Sequence, residues 1–148
     1  MEIYDYILDL EKRAKAASDV LNTASDETRR AVLNDLADRV EAASADILAA
    51  NALDLAAAAD NGVPTPMLDR LKLTDDRLRG MAEAVRALAR LDDPVGSEKT
   101  WTTPAGINIT ERRVPLGVVA MIFEARPNVT LDAAALCIRS GNAAVLRG

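Results

Sequence analysis

The chain has 148 residues, a formal net charge of −5, 49% hydrophobic and 28% charged residues, a balance that excludes wholesale disorder and fits one globular unit. It has no His and one Cys, which excludes His bases, His triads, an internal disulfide and Cys- or His-based zinc, so no metal site is expected. The acidic excess argues against nucleic acid as a partner, and with aromatics at 3% the core must come from Ala, Leu, Val and Ile.

The opening Met1–Asp5 lacks the basic start and apolar run of a secretory signal. No apolar stretch reaches the roughly 20 residues of a membrane span. A cytoplasmic location and no membrane partner are the expectation. Residues 2–22 place Ile3, Tyr6, Ile7, Leu10, Ala14 and Ala17 on one helical stripe. Ser25 is a natural N-cap followed by Asp26 and Glu27, acids that suit the first turn of a helix. Val32, Leu33, Leu36, Ala37, Val40 and Ala43 then recur in steps of three and four. Ser44 or Asp46 either starts a further helix or lies inside a longer one. The pattern runs through Ile47, Leu48, Leu55 and Ala56–Ala59 to Asp60-Asn61-Gly62, where Asn-Gly supplies left-handed conformations. Val63-Pro64-Thr65-Pro66 reads as a connector. Thr74-Asp75-Asp76 caps a helix carrying Leu78, Met81, Val85 and Leu88, which ends at Asp92–Gly96.

The chain changes character near residue 100, which suggests a helical segment over 1–100 and a strand-bearing segment over 101–148. Lys99-Thr100-Trp101 reads as a surface loop with Trp101 partly packed. Ile107–Thr110 alternates like a half-exposed strand, and Val118–Phe123 is a continuous apolar run that suits a strand covered on both faces. Glu124–Asn128 is a polar loop, Thr130–Arg139 a helix, and Ala143–Leu146 a second buried strand. Together they form a βαβ unit. Two parallel strands do not complete a doubly wound sheet, so the chain reads as the front portion of a larger α/β protein.

Few residues offer chemistry. The segment Glu124–Thr130 lies where open α/β sheets bind ligands, at the carboxyl end of a parallel strand and the start of a helix. Either Arg126 grips an anion and Asn128 caps the helix or donates to an oxyanion, or the segment is a structural turn in which Arg126 pairs with Glu124 and Asn128 only caps. Cys137 sits mid-helix with nothing evident to depress its pKa, the setting of a small buried hydrophobe. Arg147 ends a strand, where it either meets a cofactor phosphate or ribose or is a solvated charge. Arg112-Arg113 is too short for a basic patch, and no Gly-rich dinucleotide fingerprint is present.

Three blocks, Glu111–Val119, Phe123–Ala134 with its Glu-Ala-Arg-Pro-Asn-Val-Thr core, and Ser140–Gly148, resemble the gamma-glutamyl phosphate reductase family. The resemblance extends through Met67-Leu68-Asp69-Arg70-Leu71 and Asp93-Pro94-Val95-Gly96 and covers the first third of such a protein. It implies an aldehyde dehydrogenase-like α/β fold: N-terminal helices, then the start of a Rossmann-like parallel-sheet cofactor domain, incomplete here. It also implies NADPH-dependent reduction of L-glutamyl 5-phosphate to glutamate 5-semialdehyde in proline biosynthesis, through a Cys thiolate that lies beyond residue 148. By the same resemblance Asn128 is the candidate oxyanion donor and Arg147 meets NADP, while Arg126 is expected, from its own place after the strand, to grip a phosphate of substrate or cofactor. The full-length protein is then a homo-oligomer, with the 107–113 strand in an interdomain or oligomerisation sheet. The 148 residues alone are expected to be inactive and aggregation-prone. Two alternatives are a different acyl-phosphate or aldehyde dehydrogenase, against which the Glu124–Thr130 block argues, and a non-catalytic helical interaction module.

Overall fold

The structure, a computed structural model, describes residues 3–124 and 126–148. Met1 and Glu2 of the expected first helix, and Ala125 of the Glu124–Thr130 block, lie outside the described residues. Five helices come first: α1 (Ile3–Thr23), α2 (Asp26–Ala42), α3 (Ser44–Asp60), α4 (Thr65–Leu71) and α5 (Asp75–Arg90). Strands β1 (Glu98–Thr102), β2 (Asn108–Arg112) and β3 (Val118–Ile122), helix α6 (Pro127–Arg139) and strand β4 (Ala143–Arg147) follow. The architecture is α/β, with two small sheets.

Local chemistry sets the helix ends. The Ser25 hydroxyl accepts the Thr28 N–H at 3.1 Å, and the Thr74 hydroxyl accepts the Arg77 N–H at 3.2 Å, each supplying an otherwise unbonded first-turn donor with an acceptor. Ala43 breaks the helical run, so Ser44 begins a separate helix bent 65° from α2. The stop after α3 needs only one left-handed residue, Gly62 (φ 72°); Asn61 stays right-handed at φ −84°. The expected connector at Val63–Pro66 instead opens α4, because Pro66 sits in the first turn, where a missing N–H leaves no bond broken.

The core joins three helices. Leu33 and Ala37 of α2, Ala82, Val85 and Ala89 of α5, and Leu131 and Ala135 of α6 form one buried cluster. Leu36, Val40, Met81, Leu88 and Ile138 pack against it. Alanine at four of the seven positions lets the helix axes approach closely, since interaxial distance follows side-chain size. Residue 100, where the sequence changes character, falls inside β1, and α6 beyond it shares the core of α2 and α5.

β1 and β2 pair antiparallel, with Thr100 opposite Thr110 and Trp101 opposite Ile109. The loop reading of Lys99–Trp101 is therefore corrected. No apolar alternation marks this strand; cross-strand pairs hold it, with the Thr100 and Thr110 hydroxyls at 3.1 Å and Thr102 donating to Asn108 at 2.7 Å. β2 is exposed at every residue rather than on one face. β3 and β4 pair parallel from Val118–Ala143 to Ile122–Arg147, with α6 as the crossover. β3 is not covered on both faces: Ile122 is 86% exposed, because among the described residues β4 is its one sheet neighbour. The α1 stripe likewise stays exposed at Ile3, Tyr6 and Ile7, and its buried residues are Ala14 and Ser18.

The turn into β4 is held by Gly141 and Asn142. Gly141 has φ 74°, and a Cβ there would lie 2.8 Å from the Pro115 ring, so both backbone and space require glycine. The buried Asn142 side chain accepts the Gly117 N–H at 2.8 Å, and the Gly117 carbonyl accepts the Ala143 N–H at 2.9 Å. These bonds start the two parallel strands in register.

An arginine cluster closes the helix ends. Arg29 is 2% exposed and meets Asp93 at 2.6 Å and the Ala24 carbonyl. Asp26 takes Arg30 on one oxygen at 2.6 Å and Arg139 on the other. Arg30 also donates to the Ala89 and Leu91 carbonyls at 2.7 and 2.8 Å, and Arg139 donates to that of Leu91. Guanidinium groups thus satisfy carbonyls at the carboxyl end of α5, where the helix dipole is negative. Removing one partner of a buried pair strands the other charge. Asp93→Ala should therefore lower stability by about 3 kcal/mol in urea unfolding. Arg139 first and Arg30 second hold the Asp26 carboxyl below its ordinary value of 3.8. A depressed folded value stabilises the fold above the ordinary carboxylate range and is lost as acid protonates the group through that lower value. Asp26→Asn should flatten the acid limb of a stability-versus-pH profile.

Candidate functional site

The Glu124–Thr130 block does sit at the carboxyl end of β3. Helix α6 starts three residues earlier than the sequence suggests, at Pro127. Arg126 occupies the N-cap with φ −141° and ψ 88° and makes no side-chain cap bond. Asn128 is consequently not the cap. It lies in the first turn, where its amide donates to Asp132 at 3.1 Å. No ion pair joins Arg126 to Glu124 among the described residues, so the structural-turn reading loses both of its contacts. Arg126 and Asn128 are both exposed.

Both residues open onto one cleft of about 510 Å³ between α4, the first half of α5 and the start of α6. Arg70 and Lys72 line it together with Arg126 and Asn128, and Gly80, Met81 and Ala84 form its α5 wall. Arg77 shapes the rim from within: its guanidinium donates to the Asp69 and Lys72 carbonyls, both at 2.6 Å, and to the Asp69 carboxylate at 3.2 Å. Asp69 and Asp132 are thereby engaged within the protein. Arg70, Lys72 and Gly80 were not singled out from their sequence positions. The available signal was the Met67–Leu71 block, which matched the family resemblance without suggesting a role.

Arg147 is elsewhere. It ends β4, exposed, and lines a second cleft of about 720 Å³ between the start of α1 and the β3–β4 sheet. Ile3, Tyr6, Met121, Ile122 and Leu146 make that cleft chiefly apolar. The structure therefore brings Arg126 and Asn128 together and leaves Arg147 outside their cleft. Cys137 is 8% exposed on the buried side of α6, and burial pushes its thiol pKa up. A raised pKa suppresses the thiolate, so Cys137 is unsuited to nucleophilic attack. Among the described residues no cluster of Cys and carboxylate side chains is placed to hold a metal ion. No single described helix is long and apolar enough to cross a membrane.

Comparison with known proteins bears out the resemblance read from the sequence. A gamma-glutamyl phosphate reductase from Vibrio cholerae is 53% identical over 140 residues, 94% of this chain and 34% of the relative. The corresponding proteins of Enterococcus faecalis and Nitratidesulfovibrio vulgaris are 49% and 48% identical. The crystal structure of the Thermotoga maritima gamma-glutamyl phosphate reductase superposes with a TM-score of 0.88 at 35% identity, covering 95% of this chain and 34% of that one. The Saccharomyces cerevisiae enzyme gives 0.85 at 37% identity, covering 93% and 35%. No protein-family model matches the chain. The chain spans about a third of the length of these relatives, and its fold is that of their N-terminal part, a fragment of the aldehyde dehydrogenase-like fold.

The placement of Cys137 has a direct chemical consequence. A thiol-alkylating reagent should label the folded chain slowly and the urea-unfolded chain at the rate of a free thiol. Equal rates in the two states would show that the thiol is accessible.

Proposed function

We propose that the chain is the N-terminal third of an NADP-dependent gamma-glutamyl phosphate reductase, which reduces L-glutamyl 5-phosphate to glutamate 5-semialdehyde in proline biosynthesis. The observation that carries this reading is the 46–53% identity to curated reductases across nearly the whole chain. In this reading Arg126 binds an anionic group of the substrate or cofactor, since an exposed guanidinium at a cleft mouth is free for a bidentate oxyanion contact. Asn128 is the oxyanion donor, positioned by Asp132. Its amide N–H pair can serve the Asp132 carboxylate and a second acceptor together.

NADP, when bound, supplies the hydride. Its fit to this chain rests on Arg147, whose exposed guanidinium at the carboxyl end of β4 has donors of the kind that meet phosphate or ribose oxygens. The nucleophilic Cys lies beyond residue 148, as Cys137 is buried with its thiol pKa raised. The 148 residues alone are then inactive, and the working protein is a cytoplasmic homo-oligomer. The exposed β1–β2 hairpin belongs to its interdomain or oligomer sheet. The cofactor domain then begins with β3, and the division at residue 100 falls within the hairpin that precedes it.

The test is made in the full-length polypeptide that carries this segment. Arg126→Ala should raise KM for substrate or NADPH about tenfold or more, the scale of one charge-assisted hydrogen bond. Unchanged values for both ligands would remove its role. Asn128→Ala should lower kcat by about 10²–10³ with little change in KM. A change in Tm alone would mark Asn128 as a helix residue.

A further inference from the structure

The cleft between α4, α5 and α6 has three features that the fold does not use. The first is charge. Arg77 and Asn128 already engage its two carboxylates, Asp69 and Asp132. Arg70, Lys72 and Arg126 line the same walls and form no ion pair among the described residues. With Arg77 the cleft carries four cations against two carboxylates, so a net positive charge remains.

The second feature is Gly80. It lies inside α5, where glycine weakens a helix relative to alanine. A Cβ at Gly80 would meet nothing within 4 Å, and its backbone is not in the left-handed region, so neither packing nor conformation calls for glycine. What the missing side chain does is leave room at the α5 wall of the cleft. The third feature is the chain path. Asp69 and Arg70 of the Met67–Leu71 block line the same space as Arg126, Pro127 and Asn128, far away in sequence.

We propose that this cleft holds the anionic end of the small acidic substrate, with Arg70 and Lys72 as binding residues beside Arg126 and Gly80 as the position that makes room for it. The inference rests on the reductase reading and deepens it. The ligand chemistry is an oxyanion, and L-glutamyl 5-phosphate offers two, the phosphoryl group and the amino-acid carboxylate. The reverse reaction separates them: the semialdehyde is oxidised, inorganic phosphate joins the acyl carbon, and NADP takes the hydride. The carboxylate then arrives on one substrate and the phosphate on another.

The experiment uses the full-length polypeptide, with Arg70→Gln, Lys72→Gln and Gly80→Ala assayed in that reverse direction. Arg79→Gln, outside this cleft and paired with Asp76, serves as the control. Arg70→Gln and Lys72→Gln are expected to raise KM about tenfold for one anionic substrate and to leave kcat within about twofold. A rise for the semialdehyde identifies the carboxylate as occupant, and a rise for phosphate identifies the phosphoryl group. Gly80→Ala should raise Tm by about 1–4 °C while raising the same KM, a pairing that a purely structural glycine would not give. Unchanged KM values for both substrates in the active variants overturn the proposal. If the unaltered polypeptide turns over no semialdehyde, the reductase reading fails by itself. Calorimetric titration with inorganic phosphate and with L-glutamate then decides the cleft: saturable binding lost in Arg70→Gln and Lys72→Gln upholds an anion site, and its absence in the unaltered protein overturns it.

Discussion

The carboxylate of Asp26 is the joint on which the fold turns. It stands at the start of α2, takes Arg30 from its own helix on one oxygen and Arg139 from the end of α6 on the other. Both arginines reach on to the Leu91 carbonyl just past α5. Three helices whose shared buried cluster is alanine at four of seven positions are thus also tied at one corner by charge and by the unsatisfied carbonyls of a helix terminus. A core rich in alanine buries little area per residue, so directional contacts of this kind define the packing angle where large side chains would otherwise do so. Arg29 and Asp93 extend the same corner, and the Asp93 carboxylate also accepts the Val95 N–H at 3.0 Å, which steers the chain out of α5 toward the first hairpin.

This corner bears on the candidate site because it ties α5 to α6 at their carboxyl ends, while residues nearer their amino ends line the cleft. The cleft opens between those amino ends, with α4 as its third side. One helix, α5, serves both purposes: Leu78, Ala82, Val85 and Ala89 face the core, while Gly80, Met81 and Ala84 turn toward the cleft. The helices joined at the arginine corner are thus also two of the three that line the cleft.

Much of this was legible in the chain itself. Ser25 and Thr74 announced their helices because an N-cap is a local bond between a side chain and a backbone N–H three residues on. The βαβ unit was legible because apolar runs and a helical stripe carry their periodicity without a partner. What escaped depended on contacts distant in sequence. β1, a run of charged and hydroxyl residues, becomes a strand because β2 presents matching hydroxyl and amide groups. α4 hid behind two prolines that read as a connector, although one of them opens the helix. The start of α6 was misplaced because Asn128 resembles a cap, whereas proline at position 127 already supplies the fixed backbone angle for a first turn. The cleft is lined by residues of α4, α5 and α6 that lie far apart in sequence, and no local pattern states that.

The placement of Trp101 carries a consequence for how unfolding of this protein will look. It is the sole tryptophan, 41% exposed on the β1–β2 hairpin, with the Lys99 ammonium 5.9 Å from its ring centre. Indole emission therefore reports on a partly exposed surface hairpin, while the helical circular dichroism signal sums over all six helices α1 to α6. The two optical signals view different parts of the molecule. A fluorescence change marks the hairpin coming apart, and the collapse of ellipticity marks the loss of the helices.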